Sequence, residues 1–112
     1  MTASTEFFEE LRRREHEPML EKVRATIRFD LARDGRTERW LVAVDRGKLA
    51  VSRRNARADC VVRMDAALFD RLAVGEVNPT AALLRGEIDV EGEPGLIVLV
   101  QRLFPGLQRA GS

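Results

Sequence analysis

The strongest constraint on the fold is a stretch of alternating apolar and polar residues near the start of the chain. Between positions 23 and 31 every second residue is apolar: Val23, Ala25, Ile27, Phe29 and Leu31. A period of two places these side chains on one face of a β-strand and leaves the other face to water. The pair Asp34-Gly35, which follows, is typical of a tight hairpin turn. The pattern therefore predicts a half-buried strand that enters an antiparallel hairpin.

Further segments have strand character. The return strand, 37–45, places Trp40, Val42 and Val44 on one face, and Leu41 and Ala43 on the other. The turn Arg46-Gly47 then leads to a short third strand, 49–51, and a polar loop separates that strand from a fourth at 59–64. We expect these strands to open the sheet as an antiparallel meander. A fifth strand is predicted at 87–91, with Ile88 and Val90 facing inward.

Helical periodicity marks four other segments. The first, 6–20, has Phe7, Phe8 and Leu11 on one side, Ser4 or Thr5 as its expected cap and Pro18 near its end. The second, 66–74, is expected to be capped by Asp65 and stopped by Gly75, and the third, 80–85, to begin at Asn78-Pro79. The last, 95–104, carries a broad apolar stripe and ends at Pro105-Gly106.

The resulting order is α-β-β-β-β-α-α-β-α. Strands come first and helices cluster later, which predicts an α+β fold: a mostly antiparallel five-stranded sheet with helices packed on one face. A length of 112 residues fits one domain, 1–112. Within it we expect a helical N-terminal segment at 4–20, a core at 22–104 and a short tail at 105–112.

Composition excludes several classes of function. Nineteen Lys and Arg against eighteen Asp and Glu leave a net charge of +1, and the chain has no Tyr, so nucleic acid is not an expected partner. No apolar run approaches the roughly 20 residues of a membrane span, so we expect no stable membrane insertion. Cys60 is the single cysteine and residues 1–14 lack a signal-peptide pattern, which favours a cytoplasmic location.

No set of residues has the pattern of a catalytic or metal site. His16, the only histidine, lies among charged residues and is expected on the surface, and Cys60 is expected to be a buried small hydrophobe. One His and one Cys cannot supply a zinc site, and no cofactor is predicted. The carboxylates Glu87, Asp89, Glu91 and Glu93 are better explained as the wet side of a strand than as a cation site. We therefore expect a protein that is not an enzyme.

Three motifs in a fixed order resemble the sterol carrier protein-2 family. They are WLVAVDRGK at 40–48, ADCVVRM at 58–64 and NPTAALLRGEI at 78–88, and they are followed by Val90-Glu91-Gly92 and the apolar helix 96–104. The likeness runs from about Phe29 to Phe104. It implies a hydrophobic tunnel between sheet and helices that binds fatty acids, acyl-CoA, sterols or other isoprenoid lipids. The short tail after the last helix makes a sterol the less expected ligand.

The resemblance turns several apolar residues into candidate tunnel lining. These are Trp40, Val42, Phe69, Leu72, Leu83, Leu84, Leu99, Leu103 and Phe104. For Trp40, the residues alone leave plain core packing and cavity lining equally open. Arg53 and Arg57, in a basic loop, and Arg85 are candidates for contact with an anionic head group.

The expected function is non-catalytic binding, and transfer or presentation, of a lipid or similar apolar molecule. The alternative is an interaction or accessory module whose core is filled by side chains and which assists a partner enzyme or forms a homodimer.

Overall fold

A five-stranded sheet with helices packed against it forms the part of the chain that the computed structural model describes, residues 2–14, 20–93 and 95. In chain order the elements are α1 (Ala3–Arg14), β1 (Arg24–Arg33), β2 (Arg36–Asp45), β3 (Lys48–Ser52), β4 (Cys60–Asp65), α2 (Ala66–Ala73), α3 (Pro79–Leu84) and β5 (Asp89–Gly92). The α+β class and this order confirm the prediction. Pro18 and, apart from Gly95, the expected helix 95–104 lie outside the described residues.

The strands lie in the order β3-β2-β1-β4-β5, so β1 is central. β1 and β2 form an antiparallel hairpin in which Phe29 faces Trp40, and the pairs β2–β3 and β4–β5 are also antiparallel. Both hairpin turns have positive φ at both central residues, Asp34 (51°) and Gly35 (74°), then Arg46 (51°) and Gly47 (88°). Such turns match the twist of the strands they join.

The fourth strand departs from the expected meander. β4 pairs with β1 in parallel, with Ile27 opposite Cys60, so the sheet is mixed. The reason is the loop 53–59, which forms no tight turn and carries the chain from β3 at one edge past β2 to the far side of β1. The sheet is still mostly antiparallel, but only its first three strands form a meander.

The core fills the space between one face of the sheet and helices α1 and α2. The alternating residues of β1 and β2 that were expected to face inward are buried there: Ile27, Phe29 and Leu31, and Trp40, Val42 and Val44. Helix α1 contributes Phe8 and Leu11, and α2 contributes Leu68, Phe69 and Leu72. Full burial of each large apolar side chain contributes about 1.5–3 kcal/mol to stability. This packing fixes α1 across the sheet.

Helix α1 begins earlier than expected, and the expected caps Ser4 and Thr5 are wrong. The hydroxyl oxygen of Thr2 accepts a hydrogen bond from the backbone N–H of Thr5 at 3.2 Å, so Thr2 caps the helix. Ser4 is fully buried, and its backbone N–H donates to Oδ1 of Asp70, at 2.8 Å, on α2. A tertiary contact with a residue far along the chain therefore sets where this helix starts.

The other caps follow the sequence more closely. The side-chain oxygen of Asn78 accepts from the N–H groups of Thr80 (2.8 Å) and Ala81 (3.2 Å), which confirms Asn78 as the cap of α3. Asp65 occupies the cap position of α2 but makes no side-chain hydrogen bond there. Gly75 follows α2 with a φ of 81°.

The outer face of the sheet is not uniformly wet, as the alternation alone would suggest. Asp30 is only 8% exposed on that face. Arg28 binds both of its carboxylate oxygens, at 2.8 and 3.0 Å, and also donates to the carbonyl oxygen of Ala56 at 3.0 Å. The loop 53–59 therefore covers part of the outer face and is held there by a buried ion pair.

Candidate functional site

Five aromatic side chains meet at the centre of the core, and we call them the aromatic cluster: Phe7, Phe8, Phe29, Trp40 and Phe69. Phe8 lies nearly parallel to Trp40 at 4.6 Å between ring centroids, and nearly parallel to Phe69 at 5.2 Å. Its contact with Phe29 is edge-on, at 5.2 Å. Because these rings come from α1, β1, β2 and α2, the cluster joins these two helices to the two strands of the β1–β2 hairpin.

Trp40 has an unusual combination of neighbours. Besides the ring of Phe8, it contacts the guanidinium of Arg53, whose Cζ lies 4.3 Å from the indole centroid. Nε of Arg53 also donates to the carbonyl oxygen of Arg39 at 3.1 Å. The Nε1–H of Trp40 is buried and has no hydrogen-bond partner among the described residues. A buried indole N–H normally finds an acceptor, so Trp40 is a core residue with an unused polar group.

The structure places the expected lining residues in three different environments. Val42, Phe69 and Leu72 are fully buried in the same core as Trp40. Leu83 is half-buried on α3, whereas its neighbour Leu84 is 82% exposed. Leu99, Leu103 and Phe104 lie outside the described residues.

Among the expected head-group arginines, only Arg53 touches the aromatic cluster within the described part of the chain. Arg57 is exposed on the loop 53–59. Arg85 follows α3 and is paired with the carboxylate of Glu87. Of the three candidates, Arg53 is thus distinguished by its contact with Trp40.

Arg53 also borders a polar cleft beside the first turn of α1. The cleft has a volume of about 650 Å³ and we call it the α1 cleft; it is lined by Thr2, Thr5, Arg33, Asp34, Arg36, Thr37, Glu38 and Arg53. Arg33 donates to Glu38 at 2.8 Å and to Asp70 at 3.0 Å. These bonds, with that to Asp70 the larger influence, raise the pKa of Arg33 above its usual value and keep it charged.

Arg33 and Arg36 were not among the predicted site residues. They flank the Asp34-Gly35 turn and face each other in the β1–β2 register. A two-residue hairpin always brings the residues on either side of its turn together, so this signal was present in the sequence.

A second polar pocket, of about 430 Å³, lies on the outer face and includes Asp30, Arg39, Arg63 and Glu87 in its lining. Its charges are largely paired with one another. Nη1 of Arg63 lies 2.7 Å from a carboxylate oxygen of Glu91, and this bond raises the pKa of Arg63. The pocket therefore offers little uncompensated charge to a ligand.

No reactive group emerges from the rest of the described structure. Cys60 is fully buried, and the loss of solvent, with a smaller effect of Asp59, raises the pKa of its thiol, which disfavours the nucleophilic thiolate. Residues 2–14, 20–93 and 95 contain no group of three or more His, Cys, Asp or Glu that could hold a metal ion. Of the helices described, none has the length and apolar character that a membrane crossing requires.

The model of the SCP-2 sterol transfer family matches residues 7–105 of this chain. The chain belongs to the SCP-2 sterol transfer family. The match covers α1 from Phe7 onward, α2, all five strands and the segment that was expected to form the last helix. The motifs at 40–48, 58–64 and 78–88 therefore identified the family correctly.

Individual SCP-2 relatives agree with this assignment. Human sterol carrier protein 2 is 33% identical over 70 residues, which are 62% of this chain and only 13% of the human protein. The sterol carrier protein domain 2 of Helicoverpa armigera shares the fold with a TM-score of 0.76, at 23% identity, over 99% of this chain and 91% of that one. Palmitated SCP2L2 from Aedes aegypti has a TM-score of 0.73 at 19% identity, over 92% and 94% of the two chains.

Proposed function

We propose that this chain binds a lipid without catalysis, holds the apolar part between the inner face of the sheet and the helices, and transfers or presents it. The observation that carries the proposal is membership of the SCP-2 sterol transfer family in a chain whose helix-facing sheet surface is apolar and buried from Ile27 to Leu31 on β1 and from Trp40 to Val44 on β2. The driving force is desolvation, about 0.8 kcal/mol for each CH₂ group that leaves water.

The proposed lining combines buried and half-buried residues. The buried part of the lining consists of Trp40 and Val42 on β2 and Phe69 and Leu72 on α2. Leu83 forms a half-buried edge. Ile88 and Val90, which pack against the core while partly exposed, extend the apolar surface toward β5. Leu99, Leu103 and Phe104 are proposed for the opposite wall. Leu84 is given no place in this lining because it is 82% exposed.

The Nε1–H of Trp40, which has no acceptor among the described residues, supports a ligand with an oxygen atom near this indole. A buried donor without an acceptor costs about 1–3 kcal/mol, and a carboxyl, ester or hydroxyl oxygen would remove that cost. Fatty acids, acyl-CoA and sterols all carry such an oxygen. The sterols of the SCP-2 sterol transfer family and the palmitate of the Aedes aegypti relative both fall within this class.

The alternative function is an accessory or interaction module. Two observations favour it: the aromatic cluster already fills the space between α1, α2 and the sheet, and the match to human sterol carrier protein 2 spans only 13% of that protein. In this case a partner enzyme or a second copy would meet an outer surface, and no lipid would be held. The absence of catalysis and the cytoplasmic location both stay predictions.

Native mass spectrometry of the freshly purified chain, followed by denaturation and identification of any released molecule, tests the two functions. Titration with palmitate, palmitoyl-CoA and cholesterol, followed by Trp40 fluorescence and melting temperature, extends the test to a ligand-free preparation. We expect a bound or stabilising lipid. A clean protein that none of the three stabilises would favour the accessory module.

Two neighbouring leucines provide a matched pair for the lining. Leu83→Gln places a polar group at the half-buried edge, whereas Leu84→Gln makes the same change at an exposed position. We expect the first variant to weaken palmitate binding and the second to leave it unchanged. Equal effects of the two substitutions would contradict the proposed lining.

A further inference from the structure

The α1 cleft contains two guanidinium groups whose charge is not neutralised within it. Three of its lining residues are arginines and two are carboxylates. Arg33 is fully engaged, because Glu38 and Asp70 both bind it. The side chain of Arg36 makes no hydrogen bond or ion pair with any described residue, and that of Arg53 donates only to a backbone carbonyl. Asp34, exposed in the hairpin turn, is the one carboxylate left to oppose them.

The positive character of the cleft does not come from the helix start. The N–H of Ser4 is bound to Asp70, and the N–H groups of Thr5 and Glu6 are bound to the hydroxyl and carbonyl oxygens of Thr2. The first turn of α1 therefore has few free donors for a ligand. A ligand in the cleft would meet the guanidinium groups, whose planar donors suit carboxylate and phosphate oxygens.

Arg53 connects this cleft to the core. Its side chain lines the cleft and at the same time lies over the indole ring of Trp40, with 4.3 Å between its Cζ and the ring centroid. Trp40 is 2% exposed and carries the unpartnered Nε1–H. Arg53 thus lies between a polar cleft and the apolar interior, which is the arrangement that an amphiphile requires.

We propose that the α1 cleft receives the oxyanion head group of an amphipathic ligand, held by Arg36 and Arg53, while the apolar chain passes beside Trp40 into the core. This inference rests on the proposed function, and it narrows the ligand to lipids with a carboxylate or phosphate head. Neutral lipids of the same chain length gain the apolar contacts but not the contacts with the two arginines, so they bind more weakly.

The outer-face pocket is a poorer site for the same head group. Arg63 is bound to Glu91, and Asp30 draws Arg28 to within 2.8 Å and Arg39 to within 3.8 Å. An anion there would have to displace carboxylates that are already in place. In the α1 cleft, an anion would contact Arg36 without displacing a carboxylate.

The test compares three ligands with the same twelve-carbon chain: laurate, dodecyl phosphate and dodecan-1-ol. Binding is followed by the fluorescence of Trp40, the only tryptophan in a chain without tyrosine. The variants are Arg36→Gln and Arg53→Gln. The control is Arg54→Gln, because Arg54 is an exposed arginine next to Arg53 that does not line the cleft. Urea unfolding of each variant checks that it is folded. This check matters most for Arg53→Gln, which alters the contact with the buried ring of Trp40.

We expect Arg36→Gln to raise the Kd of laurate or of dodecyl phosphate about three- to tenfold, and that of dodecan-1-ol less than about twofold. The laurate and dodecyl phosphate arms separate a carboxylate site from a phosphate site. Arg54→Gln leaves all three values unchanged, and Asp34→Asn tightens the binding of the anions because it removes the opposing charge.

Two results would overturn the inference in different ways. If the wild-type chain binds dodecan-1-ol as tightly as the anions and Arg36→Gln changes nothing, the head-group site is wrong and the lipid-binding function stands. If none of the three ligands binds, the proposed function and the head-group site fail together.

Discussion

Thr26 and Asp59 exchange four hydrogen bonds at the point where β1 and β4 begin their parallel pairing. A carboxylate oxygen of Asp59 accepts from the backbone N–H of Thr26 at 2.9 Å and from its hydroxyl at 3.3 Å. In return the N–H of Asp59 donates to the hydroxyl oxygen of Thr26 at 3.1 Å and to its carbonyl oxygen at 3.0 Å. The loop 53–59 has little regular structure, so these bonds set the register in which β4 meets β1.

Asp59→Ala is expected to destabilise the chain by about 1–2 kcal/mol, because it removes the acceptor for two of these bonds at a partly solvated site. Urea unfolding followed by Trp40 fluorescence measures the change. The control is Asp45→Ala: Asp45 is also exposed at a strand end, but it makes only a surface ion pair with Arg24, so its loss costs less than about 0.5 kcal/mol.

A double-mutant cycle with Thr26→Val tests whether the two residues act together. We expect a coupling of about 0.5–1 kcal/mol, because either substitution alone already breaks the bond between the Thr26 hydroxyl and the Asp59 carboxylate. Strictly additive losses would show that Thr26 and Asp59 stabilise the sheet independently.

Gly92→Ala should be among the most harmful small substitutions in the chain. An added Cβ would lie 2.2 Å from the carbonyl oxygen of Asp59, and the residue has a φ of 111°, which L-residues rarely adopt. We expect a loss of about 2 kcal/mol or more, measured as a shift in the urea midpoint. Gly86→Ala is the matched control: its φ is 76°, but its Cβ would meet nothing within 4 Å, so only about 1 kcal/mol of backbone strain is expected. Equal losses would refute the steric explanation.

Phe8→Ala removes the ring on which the aromatic cluster depends. Phe8 is fully buried and contacts Phe29, Trp40 and Phe69, so its truncation leaves a cavity and costs about 3–5 kcal/mol. The emission maximum of Trp40 should shift to longer wavelength in the folded variant as water reaches the indole. Phe7→Ala, at a half-buried position of the same helix, should cost less. A blue-shifted or unchanged spectrum of the Phe8 variant would argue against water entering the cavity.

The thiol of Cys60 should be inert in the folded chain. Burial raises its pKa above the ordinary value, so the native state keeps the thiol proton at pH values where the unfolded state begins to lose it. Ionisation then favours the unfolded state, and the contribution of this group to stability falls as the pH rises above the unfolded pKa of about 8.5. Reaction with a disulfide reagent at pH 8 should be at least about tenfold slower in buffer than in concentrated urea. Comparable rates would mean that Cys60 is accessible in the native state.

Local patterns predicted the hairpin strands and the cap of α3, because the information for them lies within a few residues. The alternation from Val23 to Leu31 and the Asp34-Gly35 turn are sufficient for β1 and β2, and Asn78 is sufficient for α3. The parallel pairing of β4 depends instead on residues more than 30 positions apart, Ile27 and Cys60, and no local pattern distinguishes it from an antiparallel alternative. The cap of α1 failed for the same reason, since Asp70 draws Ser4 into the helix.

The residues of the candidate site were predicted better than the contacts between them. Trp40 and Arg53 were both identified as candidates, but their mutual contact depends on the pairing of β2 with β3. In that register Leu41 lies opposite Ser52, so Arg53 comes to lie beside Trp40. The role suggested for Arg36 was missed because this residue lies between the predicted Asp34-Gly35 turn and the predicted strand 37–45, and no role was assigned to it. Leu84 was grouped with Leu83 as an apolar helix residue made a lining candidate by the family resemblance, whereas the short helix α3 exposes Leu84 and partly buries Leu83.

The central position of β1 has a consequence for synthesis on the ribosome. Residues 24–52 carry the β1–β2–β3 meander, so this part can pair as soon as it leaves the exit tunnel. The other edge of β1, where Ile27 to Ala32 pair with β4 in the finished fold, has no partner until Cys60–Asp65 has also emerged. During that interval the nascent chain presents unpaired backbone groups along an apolar strand, a surface prone to aggregation. The loop 53–59 therefore sets how long the growing polypeptide carries this risk, and lengthening it would extend the exposure without altering the finished fold.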